Sequence, residues 1–338
     1  MCRWFAYISA TEDCLLEDVL ILPEHAIAKQ VHERFLPYLF HHEPGTTKEE
    51  MSLRNSPFNL DGLGLVWYST ARARFGDATG PRPVTYKILR QPSADPVLAS
   101  LCAHTAARCV FAHIRAASGG TAVAEVNNHP FAFGRHAFMH NGAVAHFARV
   151  QRALALELDD AAHAHVAGTT DSEALAALFF TRLARGRGAA AWEEQHPLEE
   201  LRAALEGAVR RVLELQAEAA ARAGFALEPS SLNVAVTDGE QLLAIRFRNH
   251  ATQHPPSLYL STRAGVALNR KFPGHPDVEG VDNGSQNLKA ADEHGDHVIV
   301  ASEPTTFRKE DWELIPKNEY VMVGRDMQIS RGKVSVAF

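Results

Sequence analysis

The sequence predicts an α+β fold built on antiparallel sheets. Strand-like segments come first in a run, two long helical stretches then follow one another, and strand-like segments return toward the end. Runs of strands and runs of helices, rather than strict alternation, mark antiparallel sheets with segregated helices. The chain has 338 residues, 46% hydrophobic and 22% charged, an ordinary globular balance with enough length for one large core or two small ones.

Each element follows from local chemistry. CRWFAYIS (2–9) is aromatic and β-branched with neither Pro nor Gly, and predicts a buried strand. The stretch from Cys14 to Phe35 predicts helix on both sides of a break at Pro23. LDGLGLVWYST (60–70) predicts a strand with Gly62 and Gly64 at its start, and ARCVFAHIRAAS (107–118) another. HAFMHNGAV (136–144) predicts a strand that meets a turn at Asn141-Gly142, because Asn-Gly is the strongest short turn signal. In GTTDSEALAALFFTRLARG (168–186), Thr170 and Glu173 have capping-box spacing and Gly186 ends the helix. From Pro197 to Ala223, Leu198, Leu201, Leu205, Val209, Val212 and Leu213 recur at helical spacing, and Gly224 closes the run. A hairpin is expected around Asp238-Gly239, then strands in SLYLSTRAG, HVIVASEP and YVMVGRD. Residues 271–296 are polar, with Pro, Gly, Asn and Asp throughout, and read as a long loop or insertion inside a single domain spanning 2–338.

Charge and cysteine usage exclude several classes. The formal net charge is −6 and the basic residues are dispersed, against the strong basic excess of a nucleic-acid binder. Four cysteines (Cys2, Cys14, Cys102, Cys109) without a CxxC do not form a disulfide framework. No apolar run reaches the length of a membrane span, and the N-terminus does not read as a signal peptide. A cytoplasmic protein that binds neither nucleic acid nor membrane is expected.

The chemistry-bearing candidates have competing readings. The 18 histidines include the pairs His41-His42, His163/His165 and His294/His297, yet none forms HExxH or a Cys/His ladder, so no metal and no cofactor are expected. Gly62 to Gly64 lacks the remainder of a dinucleotide fingerprint, and Cys14, Cys102 and Cys109 read as core thiols. Cys2 differs by position. Trimming of Met1 would leave a free α-amine on the nucleophile's own backbone, with an ordinary pKa of about 7.7–8.0 beside a thiol of about 8.5, so one residue could supply nucleophile and base. Asn141 and Gly142 offer a side-chain amide beside a backbone N–H, as an oxyanion hole requires. Arg115 could clamp a carboxylate or serve in an internal ion pair. Asp171 could face an ammonium or merely complement the dipole of its helix.

MCRWF, NLDGLGLVWY, AHIRAASGG, NNHPF, FMHNG and TTDSE, in this order over some 170 residues, resemble the successive motifs of the class II glutamine amidotransferases. These are Ntn hydrolases whose fold is a four-layer αββα sandwich. The resemblance implies that Cys2 is the nucleophile after loss of Met1, that Asn141 and Gly142 form the oxyanion hole, and that Arg115 and Asp171 hold the substrate's α-carboxylate and α-ammonium. It also implies that Ser118 and His129 line the glutamyl pocket. Toward the C-terminus, SLYLSTRAGVALNRKFPGHPD and HVIVASEPTTFRKEDWELIPKNEYVMV resemble the amidotransferase-like subunits of fungal glutathione-degrading complexes, extending the likeness over nearly the whole chain. That resemblance implies a metallopeptidase-type protein partner and glutathione as substrate; the γ-glutamyl hydrolases of ergothioneine synthesis are related. Asn128 departs from the Cys of the related NCHP motif, and Ala116 stands where amide-transferring members usually carry Trp.

The expected activity is therefore hydrolysis of a γ-glutamyl amide, glutathione-like, through a glutamyl-thioester. With the strands and helices above assigned, no residues remain for a synthetase domain to receive ammonia. Three alternatives stay open: a glutaminase subunit feeding a separate synthetase, a hydrolase of a γ-glutamyl intermediate in ergothioneine-like or secondary metabolism, and a non-catalytic glutamyl-binding regulatory subunit. Specificity beyond the glutamyl group is expected from the loop at 40–55 and the insertion at 271–296.

Overall fold

Alternation along the first strand decides how the molecule is layered. In Arg3–Ser9, Trp4, Ala6 and Ile8 join one buried cluster while Phe5 and Tyr7 join another, the period-2 consequence of a pleated backbone. A strand buried on both faces belongs between layers. The computed structural model describes residues 2–23, 25–31, 47, 59–117, 121–269, 289–306 and 308–337. The predicted loop at 40–55 apart from Thr47, residues 271–288 of the predicted insertion, and Ser118 lie outside them.

Arg3–Ser9 is central in a seven-stranded sheet ordered Glu313–Leu314, Tyr259–Ser261, His297–Ala301, Arg3–Ser9, Cys109–Ile114, Leu63–Ser69, Arg82–Ile88. A second, six-stranded sheet runs Ile329–Lys333, Glu319–Val323, Leu242–Arg248, Ser231–Thr237, His136–Ala143, Phe131–Phe133. Every pairing in both sheets is antiparallel. Trp4, Ala6 and Phe111 of the first sheet meet Ala137, Met139, Ala235 and Ala244 of the second. Outside the first sheet, Phe5 and Tyr7 pack with Leu16 and Val19 of helix Leu16–Leu20 and with Leu98 and Cys102 of helix Pro96–His104. Outside the second, Phe138, Val234 and Ile245 pack under helices Asp171–Ala184 and Leu198–Ala223. The order helix, sheet, sheet, helix is the expected αββα sandwich. No helix among the described residues is long and apolar enough to cross a membrane.

The long helix forms where its apolar period placed it: Leu201, Leu205, Val209 and Val212 are fully buried, and Gly224 closes it at φ +68°. Thr170 caps the other helix by accepting from the Glu173 N–H at 3.2 Å. The return half of a capping box is absent, since the Glu173 carboxylate instead accepts from the Ala167 and Gly168 N–H groups.

Two local expectations are corrected. Before Pro23 the helix is only Leu16–Leu20, following a two-residue strand Cys14–Leu15; after it residues 25 and 27–31 are turns, and residues 24 and 32–35 of the predicted helix lie outside the described residues. The chain pairs Cys14–Leu15 with Ala106–Ala107, which uses up residues a longer helix would need. Asn141-Gly142 is not a turn. The strand continues through it to Ala143, held opposite Ser231–Thr237 from Ala137↔Thr237 to Ala143↔Ser231. A long ladder with a buried face outweighs the local reversal preference.

Candidate active site

The first strand delivers Cys2 to one end of the sandwich. Cys2 lies one residue beyond the Arg3↔Ile114 pair, partly exposed, with its Sγ 3.4 Å from both the amide nitrogen and the carbonyl oxygen of Ala116. Ala116 is held there by its neighbours. Arg115 N–H donates to Gly62 O at 2.9 Å, Asp61 N–H donates to Arg115 O at 3.2 Å, and the Asp61 carboxylate accepts from Ala117 N–H at 2.7 Å. Burial pushes the Cys2 thiol above its ordinary range; the Ala116 N–H and the Arg115 charge pull it down, and Asp171 pushes it up. Both predicted charge-bearing residues therefore lie within electrostatic reach of Sγ.

Asn141 and Gly142 come to the same end from the other sheet. Asn141 is 3% exposed, and its Nδ2–H points at Ser302 Oγ at 3.5 Å. Ser302 Oγ also accepts from Trp4 N–H at 3.0 Å, and Ser302 N–H donates to Trp4 O at 2.9 Å, so Ser302 ties Asn141 to the strand carrying Cys2. Gly142 has φ +149°, and a Cβ there would sit 1.8 Å from Ser231 O. Only glycine satisfies that backbone and that approach. Gly142→Ala is expected to cost about 3 kcal/mol of stability or more, with activity lost in whatever protein folds. Urea unfolding of the variant checks this, and an unchanged midpoint would contradict it.

The charges of Arg115 and Asp171 are unspent. Arg115 is 3% exposed and donates to neutral acceptors, Ala122 O at 3.0 Å and Thr121 Oγ1 at 3.2 Å. Among the described residues it has no carboxylate within ion-pair distance, which removes the internal ion-pair reading. Asp171 opens helix Asp171–Ala184; its Oδ2 accepts from Val144 N–H at 2.8 Å and its Oδ1 lies 3.2 Å from Ser172 Oγ. It likewise has no cationic side chain within ion-pair distance among the described residues. A buried guanidinium without a counter-ion is costly, and here it stands with an unneutralised carboxylate around one thiol.

His129 sits deeper. It is 4% exposed, its Nδ1 accepts from His140 N–H at 3.1 Å, and its ring stacks on His113 at 4.1 Å. His140 in turn contacts Ser172 Oγ at 2.8 Å and Ser231 O at 3.3 Å. The three rings form a buried stack behind Asn141. Burial disfavours the charged form of all three: His113 is pushed down to about 3, His129 well below its usual value, and His140 downward against the opposing pull of Asp171. The unfolded chain takes up protons on these groups below about 6.5, whereas the folded chain does not, so stability rises with pH up to about 6.5 and is lost below it. The unfolding free energy is expected to fall between pH 7 and pH 5, by about 2 kcal/mol over that interval for each ring that stays neutral, the slope approaching about 1.4 kcal/mol per pH unit only well below 6.5. Equal urea midpoints at the two pH values would contradict this.

Cys14, Cys102 and Cys109 are buried free thiols. Among the described residues no group of three His, Cys, Asp or Glu side chains is placed to hold a metal ion. Sequence reasoning missed the supports: Asp61, Asn127, His140, Ser172 and Ser302. Each lies inside or beside a quoted motif, NLDGLG, NNHPF, FMHNG, TTDSE or ASEP, but what it bonds is set by tertiary contacts. Asn128, the departure from NCHP, is fully buried and donates to Ile88 O at 3.0 Å.

No family model matches the chain. The probable glutamine amidotransferase DUG3 of Saccharomyces cerevisiae is 29% identical over 324 residues, 96% of this chain and 82% of that protein. A glutamine aminotransferase class-II domain protein from Silicibacter pomeroyi has TM-score 0.57 at 19% identity, covering 99% of this chain and 100% of that one. The glutamine phosphoribosylpyrophosphate amidotransferase of B. subtilis has TM-score 0.54 at 11% identity, covering 100% of this chain and 50% of that one. The chain is similar along nearly its whole length to a probable glutamine amidotransferase of yeast, and its fold matches that of a class-II amidotransferase-type domain.

Proposed function

We propose that this glutamine amidotransferase homologue is a γ-glutamyl amide hydrolase whose nucleophile is Cys2, exposed as the N-terminus by removal of Met1. The observation that carries the reading is the pair of unneutralised charges around Sγ, Arg115 and Asp171. An amino-acid head group has the complementary pair, a carboxylate for Arg115 and an ammonium for Asp171, and a γ-glutamyl compound places its amide a fixed distance beyond them.

In this reading the Cys2 α-amine takes the thiol proton, and Sγ attacks the γ-carbonyl carbon. The Asn141 side-chain N–H and the Gly142 backbone N–H receive the oxyanion. Collapse breaks the C–N bond, and the proton held on the α-amine goes to the departing amine. Water, deprotonated by the same α-amine, then attacks the thioester; the thiolate leaves, recovers the proton, and glutamate is released. Glutathione or a related γ-glutamyl compound is the proposed substrate, cleaved in the cytoplasm with a metallopeptidase-type partner nearby.

A second reading has one observation in its favour: the yeast relative is named a glutamine amidotransferase, and glutamine presents the same head group. Glutamate release from glutathione and from glutamine, measured side by side on protein whose N-terminal mass shows Cys2, separates the two. Faster release from glutathione is expected. Faster release from glutamine would replace the proposed substrate with the glutaminase reading.

A further inference from the structure

The two unneutralised charges sit on different parts of the fold, Arg115 just past a strand of the first sheet and Asp171 at the start of a helix outside the second. A ligand that uses both needs their separation fixed. We propose that Asn127 is the positioning residue that fixes it, making the site selective for compounds bearing carboxylate and ammonium on one carbon; the inference rests on the head-group reading above.

Asn127 ends a short turn, Glu125–Asn127, and is 1% exposed. Its Nδ2–H donates to Ala122 O at 2.9 Å. The same carbonyl accepts from Arg115 Nη1 at 3.0 Å. Its Oδ1 accepts from Thr169 N–H at 2.9 Å, two residues before Asp171. One amide thus spans from the carbonyl that seats the guanidinium to the backbone that leads into the carboxylate. An amide suits this span, because one end donates and the other accepts.

The Asp171 side of the span is stiff. The Glu173 carboxylate accepts from Ala167 N–H at 3.0 Å and Gly168 N–H at 2.7 Å. A Cβ on Gly168 would lie 2.2 Å from Asn127 Oδ1 and 2.8 Å from Glu173 Oε2, so the backbone there rests directly on both side chains. Thr170 then caps the helix that starts with Asp171. Movement at Asn127 reaches Asp171 with little slack to absorb it.

The test is calorimetric binding to the full chain, wild type and Asn127→Ala, of three compounds: L-glutamate, glutarate (no ammonium) and 4-aminobutyrate (no α-carboxylate). Wild type is expected to prefer L-glutamate over both. Since a displacement of about 1 Å can cost on the order of a hundredfold, Asn127→Ala should weaken L-glutamate about tenfold or more while changing the two analogues that lack one head-group charge less than about twofold. Equal weakening of all three would mean that Asn127 serves folding alone, and unchanged glutamate binding would remove it from any positioning role; either overturns the inference. Should the alanine variant fail to fold, Asn127→Ser decides: it stays neutral and polar but is too short to span from Ala122 O to Thr169 N–H, and should show the same selective loss in smaller measure. A wild type that binds L-glutamate no better than the analogues would bring down the head-group reading itself, and the inference with it.

Discussion

Cys2→Ala is expected to abolish glutamate release, with kcat falling by about four orders of magnitude or more, as when a covalent nucleophile is removed from other hydrolases. Binding should survive, because Arg115 and Asp171 do not depend on the thiol for their positions: Arg115 is seated on Ala122 O and Thr121 Oγ1, and Asp171 on Val144 N–H. The Kd for L-glutamate is therefore expected to stay within about threefold of wild type, since sites without shared partners act independently. Stopped glutamate assays and calorimetry on the same preparation check both halves. Turnover retained in the variant would remove Cys2 from the chemistry, and a lost Kd would mean that the substitution had disturbed the pocket.

Arg115→Met is expected to lower kcat/KM by about two to three orders of magnitude, the cost of leaving a ligand carboxylate without its partner in a buried site. The fold should lose no more than about 2 kcal/mol, because two bonds to neutral oxygens disappear and no ion pair does. A structural ion-pair arginine behaves differently, costing about 3–5 kcal/mol when its partner is stranded. Arg115→Lys should retain the charge but raise KM about tenfold or more, since a point charge does not reproduce two parallel donors. Unfolding free energies and steady-state constants for both variants distinguish the two roles. Severe destabilisation with unchanged KM would make Arg115 structural.

The layers of this fold were legible wherever burial is periodic. Arg3–Ser9 has no polar residue between Trp4 and Ile8 and is buried on both faces; the helix Leu198–Ala223 repeats its apolar positions over many turns. Elements escaped notice where burial is weak. Arg82–Ile88 is an edge strand with Pro83 in it and exposed Val84 and Thr85, so no alternation signals it. Ile329–Lys333 is another exposed edge. Helix Pro96–His104 buries only Leu98 and Cys102, and its clearest signal was the Asp95 cap, whose Oδ1 accepts from Val97 and Leu98 N–H. Asn141-Gly142 misled because a two-residue preference was set against a ladder that only tertiary structure reveals.

The site divides in the same way. Cys2, Arg115, Asn141, Gly142 and Asp171 stand out as candidates in the sequence because each brings a scarce chemistry to a motif. That Arg115 and Asp171 have no ion-pair partner among the described residues was not readable, because an ion pair is a tertiary fact, and that observation is what the proposed head-group site rests on. The same holds for Ser302, whose hydroxyl joins Asn141 to the strand of Cys2 across the two sheets.

Rapid acid quench of the wild-type protein during turnover of a γ-glutamyl substrate, followed by intact and peptide mass measurement, tests the central claim most directly. The account predicts a species heavier by one glutamyl group, with the addition on the peptide that begins at Cys2, and its loss when the protein is returned to neutral buffer. Turnover with no such species, or with the glutamyl group on another residue, would contradict it.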